Sequence, residues 1–185
     1  MKKGTGIMLV VSFAVLALIV VFVKSYTKLT TLNTEVINKE SDINVQLNRK
    51  NEQILSLLSL IKENEIDAKE LLDDFDKEID EFKKLNDIDL KCNKNNIISE
   101  LVNKLFEVIP KELLEKEEVK NSINDIISTE TRIINAKNNY NSAVDDYNKK
   151  IKSLPASIIA RFRGFKEKKL FEISVNINNI LEVEE

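Results

Sequence analysis

The residues in this chain that are best suited to chemistry are one carboxylate and two arginines. Glu130 lies within a regular helical repeat, at a position type filled mostly by apolar side chains, and Arg132 follows closely. With Arg49 supplied by an earlier helix, these residues could form a catalytic carboxylate with cationic partners. A buried carboxylate is costly unless it is paired, so a Glu130–Arg49 ion pair that fixes helix register is the favoured interpretation.

Metal and thiol chemistry find little support in the sequence. Glu70, Asp73, Asp74 and Asp76 are close in sequence, but a hard cation needs about six converging oxygens, and neighbouring helical residues point apart. The cluster is therefore predicted to be a solvated helix face. The chain has no His, and its single Cys92 is expected to be an inert surface thiol. Phosphate-loop, Rossmann and catalytic-serine patterns do not occur, so we expect no enzymatic activity, cofactor, metal or small-molecule substrate.

Apolar residues alternate by four and three from Val119 to Leu154, which is the heptad pattern of a helix packed on another helix. Glu130 and Lys137 interrupt this seam, and Tyr140 and Tyr147 occupy two of its positions. We expect each tyrosine to bury its ring and hydrogen-bond its hydroxyl, while a polar groove for a ligand or partner helix is the alternative. The predicted polar seam consists of Arg49, Glu130, Arg132, Lys137, Tyr140, Asn141, Tyr147 and Asn148.

Long helices must position this seam, because the chain has only 3 Gly and 2 Pro. The sequence predicts an all-α fold, in which one N-terminal transmembrane helix continues into an elongated antiparallel bundle of about four helices. The Asn- and Asp-rich stretch 86–96 is predicted to be a loop. The predicted segments are a short N-terminal segment (1–6), the transmembrane helix (7–23), the bundle (24–155, with long helices over about 25–65 and 112–154 and shorter ones over about 66–85 and 97–109) and a basic-aromatic segment with a tail (156–185).

Residues 7–23 read IMLVVSFAVLALIVVFV, in which Ser12 is the only polar residue. With the three residues before it, the stretch reaches about 20 residues, or roughly 30 Å of helix, which matches a bilayer core. Two alternatives are a cleaved signal peptide and a buried core helix. The run is longer than a usual signal h-region and no small-residue cleavage site follows it. Core helices are rarely apolar on all sides over this length. We predict a retained single-pass anchor in the cell membrane. The flanking lysines are too evenly balanced to assign the side that the bundle faces.

After Pro155 the chain becomes basic and aromatic, and two interpretations remain open. One is a segment that binds the membrane surface through basic residues with aromatic insertions. In the other, the aromatic rings cap the open end of the bundle while the basic residues stay solvated. The residues concerned are Arg161, Phe162, Arg163, Phe165, Lys166, Lys168, Lys169 and Phe171.

Two stretches of the chain carry a specific set of motifs. Residues 129–151 read TETRIINAKNNYNSAVDDYNKKI and are followed by LPASIIARFRGF and LFE. This pattern resembles the C-terminal signature of the LemA family, which consists of an E-x-R-I segment, two Tyr-Asn pairs, a Pro, an I-A, a G-F and an F-E. Residues 42–50 (DINVQLNRK) are similar to its I-D-V-Q-L-x-R-R segment. The chain departs from the family in lacking a Pro after that segment, an Ala-Trp pair, and the His-containing end of the first long helix.

The resemblance implies a helical bundle on a single-pass anchor in a bacterial membrane, and it implies no activity. Genes of the family often lie beside those of membrane metallopeptidases, which hints at partnership. The net charge of −3, with both signs interspersed, gives no electrostatic footprint for nucleic acid. We expect a non-enzymatic scaffold or adaptor of the bacterial envelope, whose partners are other envelope proteins or copies of itself. The alternative is a peripheral lipid-binding or membrane-remodelling protein that uses the basic-aromatic segment.

Overall fold

The structure is a computed structural model of the 185-residue chain, and it describes residues 3–64 and 68–171. Within these residues the secondary structure consists of α-helices and no strand, so the prediction of an all-α fold is confirmed. The bundle was predicted to contain about four helices; four longer ones are present, together with the short α4 and α6. The helices are α1 (Lys3–Glu63), α2 (Lys69–Lys84), α3 (Ile88–Val108), α4 (Lys111–Leu114), α5 (Glu117–Lys152) and α6 (Ala156–Arg163).

The loop predicted over residues 86–96 is wrong, because α3 begins at Ile88. Asp87 caps this helix, since its side chain accepts a hydrogen bond from the Leu90 N–H at 3.0 Å. Each Asn or Asp destabilises a helix by only about a few tenths of a kcal/mol. The free energy gained by burying one apolar face of the helix outweighs that cost. The buried face of α3, which packs against α2, consists of Cys92, Asn95, Ile98, Leu101, Val102 and Leu105.

One compact unit comprises Met1–Asn38 and Tyr140–Leu170. The described apolar residues between Ile7 and Val23 are exposed, and this part of α1 is long and apolar enough to cross a membrane. That property is compatible with the predicted anchor. Beyond it, α1 buries one stripe, and α5 and α6 supply the rest of the core of this unit. The buried apolar residues are Leu29, Leu32, Val36, Tyr140, Ala143, Val144, Tyr147, Ile151, Ala156, Ile159 and Ala160.

Of the residues that the structure describes, the second compact unit comprises 39–64, 68–139 and Phe171. Its core combines the second half of α1 with α2, α3, α4 and the first half of α5. On α1 the buried positions recur at helical spacing, as in Ile43, Leu47, Ile54 and Ile61. On α2 they are Leu72, Phe75, Ile79 and Phe82, and on α5 they are Val119, Ile123, Ile126, Thr129, Glu130, Ile133 and Ala136.

Candidate functional site

A buried ion pair links α1 to α5 within the second unit. The Lys50 Nζ contacts Glu130 Oε1, and their side chains are only 1% and 5% exposed. The same Nζ donates a hydrogen bond to Ser99 Oγ on α3 at 2.6 Å, and Ser99 in turn donates to the Asn95 carbonyl at 2.9 Å. Three helices therefore meet at one buried cation.

The predicted pairing of Glu130 with Arg49 is wrong, because Arg49 is exposed and the adjacent Lys50 is buried. The buried stripe of α1 passes through Leu47 and Ile54, which are seven residues apart, and Lys50 lies between them at heptad spacing. Arg49 is rotated away from this stripe by about 100°. Lys50 was not among the predicted seam residues, although its position in the heptad pattern could have identified it.

The environment of this pair is more apolar than that of the exposed charges. Burial lowers the pKa of Lys50, because the ammonium loses its hydration, and the charge of Glu130 opposes that shift. Among the residues that the structure describes, Glu130 Oε2 and both amide atoms of the buried Asn51 lack a hydrogen-bond partner. Each partner thus compensates the buried charge of the other, and removal of either one would leave an isolated charge in the core.

Tyr140, Tyr147 and Asn148 form a second polar arrangement, here called the tyrosine–asparagine clamp, within the first unit. The Tyr147 hydroxyl donates to the Lys166 carbonyl at 3.0 Å, and the Tyr140 hydroxyl donates to the Lys169 carbonyl at 3.3 Å. Asn148 donates to the Lys168 carbonyl at 2.8 Å and accepts from the Lys168 N–H at 3.0 Å. The clamp therefore binds the backbone that follows α6, and burial raises the pKa of Tyr147.

The residues bound by the clamp run back along α5, because Lys166 is bound by Tyr147 and Lys169 is bound by Tyr140, one heptad earlier in the helix. Gly164 makes this reversal. It ends α6 in the left-handed conformation, with φ of 74°, and the N–H of Phe165 bonds to the Ala160 carbonyl at 3.0 Å. Glycine adopts this backbone conformation without the steric cost of a Cβ.

Gly164→Ala is expected to lower the free energy of unfolding by about 1–2 kcal/mol, the cost of a left-handed L-residue. A Cβ at this position would have nothing within 4 Å, so the loss is conformational and involves no clash. Gly164→Asn is the matched variant, and its loss should be smaller because Asn tolerates this conformation better. Urea unfolding in detergent, followed by circular dichroism, measures both. An alanine variant as stable as the parent would contradict the assigned turn.

The remaining residues of the predicted seam are not gathered into one site. Arg132 is exposed, whereas Lys137 and Asn141 are half-buried. In the basic-aromatic segment, Phe171 is buried, Phe165 and Lys168 are half-buried, and the others are exposed. The exposed residues are Arg161, Phe162, Arg163, Lys166 and Lys169.

Residues of α1 and α6 form an apolar groove within the first unit, with a volume of about 480 Å³. The Arg163 guanidinium lies at its edge, where it donates a hydrogen bond to the Tyr26 hydroxyl at 3.2 Å and stands 5.4 Å from the centre of that ring. The sequence identified both segments but gave no reason to place them together. The groove is lined by Phe22, Val23, Tyr26, Ile158, Ile159, Phe162 and Arg163.

The acidic residues of α2 lie as predicted on an exposed face: Glu70, Asp73, Asp74 and Asp76. Within residues 3–64 and 68–171, no group of three or more His, Cys, Asp or Glu side chains is placed to hold a metal ion. On a neighbouring face of α2, Glu78 and Glu81 each accept a hydrogen bond from Lys94 Nζ at 2.7 Å. These two hydrogen bonds raise the pKa of Lys94, and the contact fastens α3 to α2.

Cys92 is buried in α3, so the predicted surface location is wrong. Burial among apolar neighbours raises the pKa of its thiol to about 12, with a smaller contribution in the same direction from Asp89. A thiol of this kind is almost entirely protonated at neutral pH and is a poor nucleophile.

Cys92 should react with iodoacetamide at pH 8 roughly a thousandfold more slowly in the folded protein than in urea, because the fraction of thiolate falls tenfold per pKa unit. Mass spectrometry of the intact chain follows the modification over time. A small unfolded peptide with one Cys is the control for reagent reactivity. Alkylation of the folded protein at the peptide's rate would contradict the burial of this side chain.

These contacts define an all-α protein whose helices are joined by a buried Lys–Glu pair and whose C-terminal segment is held by side chains of the last long helix. The model of the LemA family matches residues 39–184, and the chain belongs to this family. The resemblance of the Tyr-Asn pairs and the segments around them is thereby confirmed. A comparison with curated proteins finds no match.

Proposed function

We propose that the protein is a non-enzymatic scaffold or adaptor of the bacterial envelope, anchored in the cell membrane by the apolar part of α1. The anchor is supported by the uninterrupted exposure of the apolar side chains between Ile7 and Val23. Exposure of such an apolar surface to water is unfavourable, whereas its contact with the hydrocarbon core of a bilayer is favourable. The helix continues through Glu63 without a break, so the same element that enters the membrane also contributes to the folded core.

The observation that carries the adaptor role is a set of exposed aliphatic side chains, Val45, Leu90 and Ile97, here called the aliphatic surface. Val45 lies on α1 and the other two on α3, and they are between 42% and 57% exposed. Leu90 and Ile97 are one heptad apart and share a face of α3. Next to them, Lys91 Nζ donates to Asn44 Oδ1 at 2.8 Å, which brings α1 and α3 together. Exposed aliphatic groups on adjacent helices suit recognition of an amphipathic partner helix.

The non-enzymatic part of the proposal is supported by the engagement of the reactive groups. Glu130, the carboxylate best suited to catalysis, is buried and paired with Lys50. A general base must reach a proton on its substrate. The paired Glu130 carboxylate is held inside the core, where it contributes to helix packing instead. Burial raises the pKa of Cys92 to about 12, whereas a nucleophilic cysteine needs a lowered pKa.

Photo-crosslinking in native membranes tests the adaptor role. A photoreactive residue placed at Leu90 or Ile97 of the full chain should give discrete protein adducts, and mass spectrometry should find the same partner from both positions. Asp73, an exposed residue on α2, is the control position and should not give that adduct. Absence of a discrete adduct at both aliphatic positions, or equal yields at Asp73, would contradict the proposal.

Lipid binding is the second candidate function, and one observation favours it. Phe162 is 84% exposed on α6, between the exposed Arg161 and Arg163. An exposed aromatic ring between two cations is typical of a segment at a lipid surface. A photoreactive residue at Phe162 that crosslinks to lipid, together with no protein adduct from Leu90 or Ile97, would favour this function over the adaptor role.

A further inference from the structure

The groove between α1 and α6 continues the apolar surface of the proposed membrane span. Phe22 and Val23 are the last residues of the apolar stretch, and they form one wall. Ile158 and Phe162 form the opposite wall, and both are exposed. If α1 spans the bilayer as proposed above, this wall lies where acyl chains end and headgroups begin. A volume of about 480 Å³ is within the range of small-molecule sites, roughly 300–1,000 Å³.

The polar edge of the groove is cationic. Arg163 contacts the Tyr26 phenol, and among the residues that the structure describes no carboxylate forms an ion pair with the guanidinium. A guanidinium offers planar donors that match a phosphate, and its stacking on the ring restricts its position. Apolar walls that end at a fixed cation complement a molecule with a hydrocarbon chain and an anionic head.

We propose that this groove binds one molecule of anionic phospholipid, with an acyl chain between the apolar walls and the phosphate against Arg163 and Tyr26. The inference rests on the proposed anchoring by α1 and goes beyond the adaptor role, since it assigns a lipid site to this protein. A second copy of the chain is a less suitable occupant, because the wall formed by Phe22 and Val23 belongs to the membrane span and is surrounded there by lipid. The site is specific for charge through Arg163 and indifferent to the length of the acyl chain.

Fluorescence quenching by brominated lipids tests the site, because the sequence has no Trp. The full-length Phe162→Trp protein is reconstituted into vesicles of phosphatidylcholine and phosphatidylglycerol, in which only one lipid is brominated. At equal mole fractions, brominated phosphatidylglycerol should be preferred by about fivefold over brominated phosphatidylcholine, the scale of one basic residue at an anionic surface. The experiment is repeated with bromine on the other lipid. The comparison shows whether the quenching preference depends on the headgroup and not on where the bromines are placed.

Arg163→Gln in the Phe162→Trp background should abolish the preference and leave quenching by both lipids. Arg161→Gln is the matched control, because it removes the same charge from an exposed position on the same helix and should keep the preference. Equal losses in both variants would show general surface attraction and overturn the site. If the Trp emission is blue-shifted but neither brominated lipid quenches it, the groove is filled by protein. That result would also overturn the proposed lipid site. Carbonate extraction of the same samples tests the anchor separately, so loss of the site is distinguishable from loss of membrane anchoring.

Discussion

Lys50→Ala should lower the free energy of unfolding by about 3–5 kcal/mol, the largest loss expected from a single substitution in the described core. The substitution leaves the Glu130 carboxylate buried without its cation, and it also removes the hydrogen bond to Ser99. Glu130→Ala should have an effect of similar size, since it leaves a buried ammonium. The two losses should not add in the double variant, because each single variant already breaks the same pair. Urea unfolding in detergent measures all three.

Arg49→Ala is the matched control for this experiment, because it removes a positive charge from the adjacent position of the same helix. Arg49 is exposed, so its loss should change the free energy of unfolding by less than about 0.5 kcal/mol. Lys50→Met combined with Glu130→Leu should recover most of the stability, since apolar side chains of similar volume often replace a buried ion pair without loss. A loss below about 1 kcal/mol for Lys50→Ala, or an equal loss for Arg49→Ala, would contradict the assigned partner.

The partner of Glu130 is Lys50 and not the predicted Arg49, and this difference shows what periodicity can and cannot predict. The heptad seam correctly drew attention to Glu130, because a carboxylate at a core position requires a partner. The predicted partner, Arg49, missed the actual partner by one residue. A shift of one residue rotates a helical position by about 100°, which separates a buried side chain from a solvated one. The apolar neighbours Leu47 and Ile54 carry the information that decides between the two.

The hydrogen bonds that the two tyrosines make to backbone carbonyl groups could not be predicted from the sequence. The spacing of Tyr140 and Tyr147 indicated buried rings, and the structure places both rings in the core. Their partners, however, are carbonyl groups of Lys166 and Lys169, which lie 19 and 29 residues away in the chain. Every residue has a carbonyl group, so residue types reveal nothing about which one accepts. The left-handed Gly164 was the available signal, since a glycine after a helical run often marks a reversal.

The apolar groove could not be predicted for a similar reason. Its walls are separated by more than a hundred residues, and each was interpreted separately, one as the end of the span and the other as part of a basic-aromatic segment. Two interpretations of the latter were left open, a membrane-surface segment and a cap on the bundle. The structure divides the aromatic residues between these environments, because Phe171 is buried and Phe162 is exposed. Each of the two interpretations is therefore compatible with a different part of the segment.

Val15→Arg together with Leu16→Arg should release the protein from the membrane. Both residues lie near the middle of the apolar stretch, and an arginine at the centre of a membrane helix costs about 2.5–3.5 kcal/mol, so the pair costs roughly 5–7 kcal/mol. That cost is comparable to the total stability of many domains and should prevent stable insertion. Carbonate extraction followed by detection of the intact chain measures the result, with the parent protein in the membrane pellet and the variant in the soluble fraction.

Ile37→Arg separates the effect of membrane insertion from that of adding a charge to α1. Ile37 is 49% exposed and Val15 is 50% exposed, so the two positions are matched in the folded chain and differ in whether they lie within the apolar stretch. The Ile37 variant should remain in the pellet. Retention of the double arginine variant would contradict the anchor, as would release of the Ile37 variant. An intact mass that lacks residues 1–23 in the parent would instead assign this stretch to a cleaved signal peptide, and the helix that enters the core would then begin near Lys24.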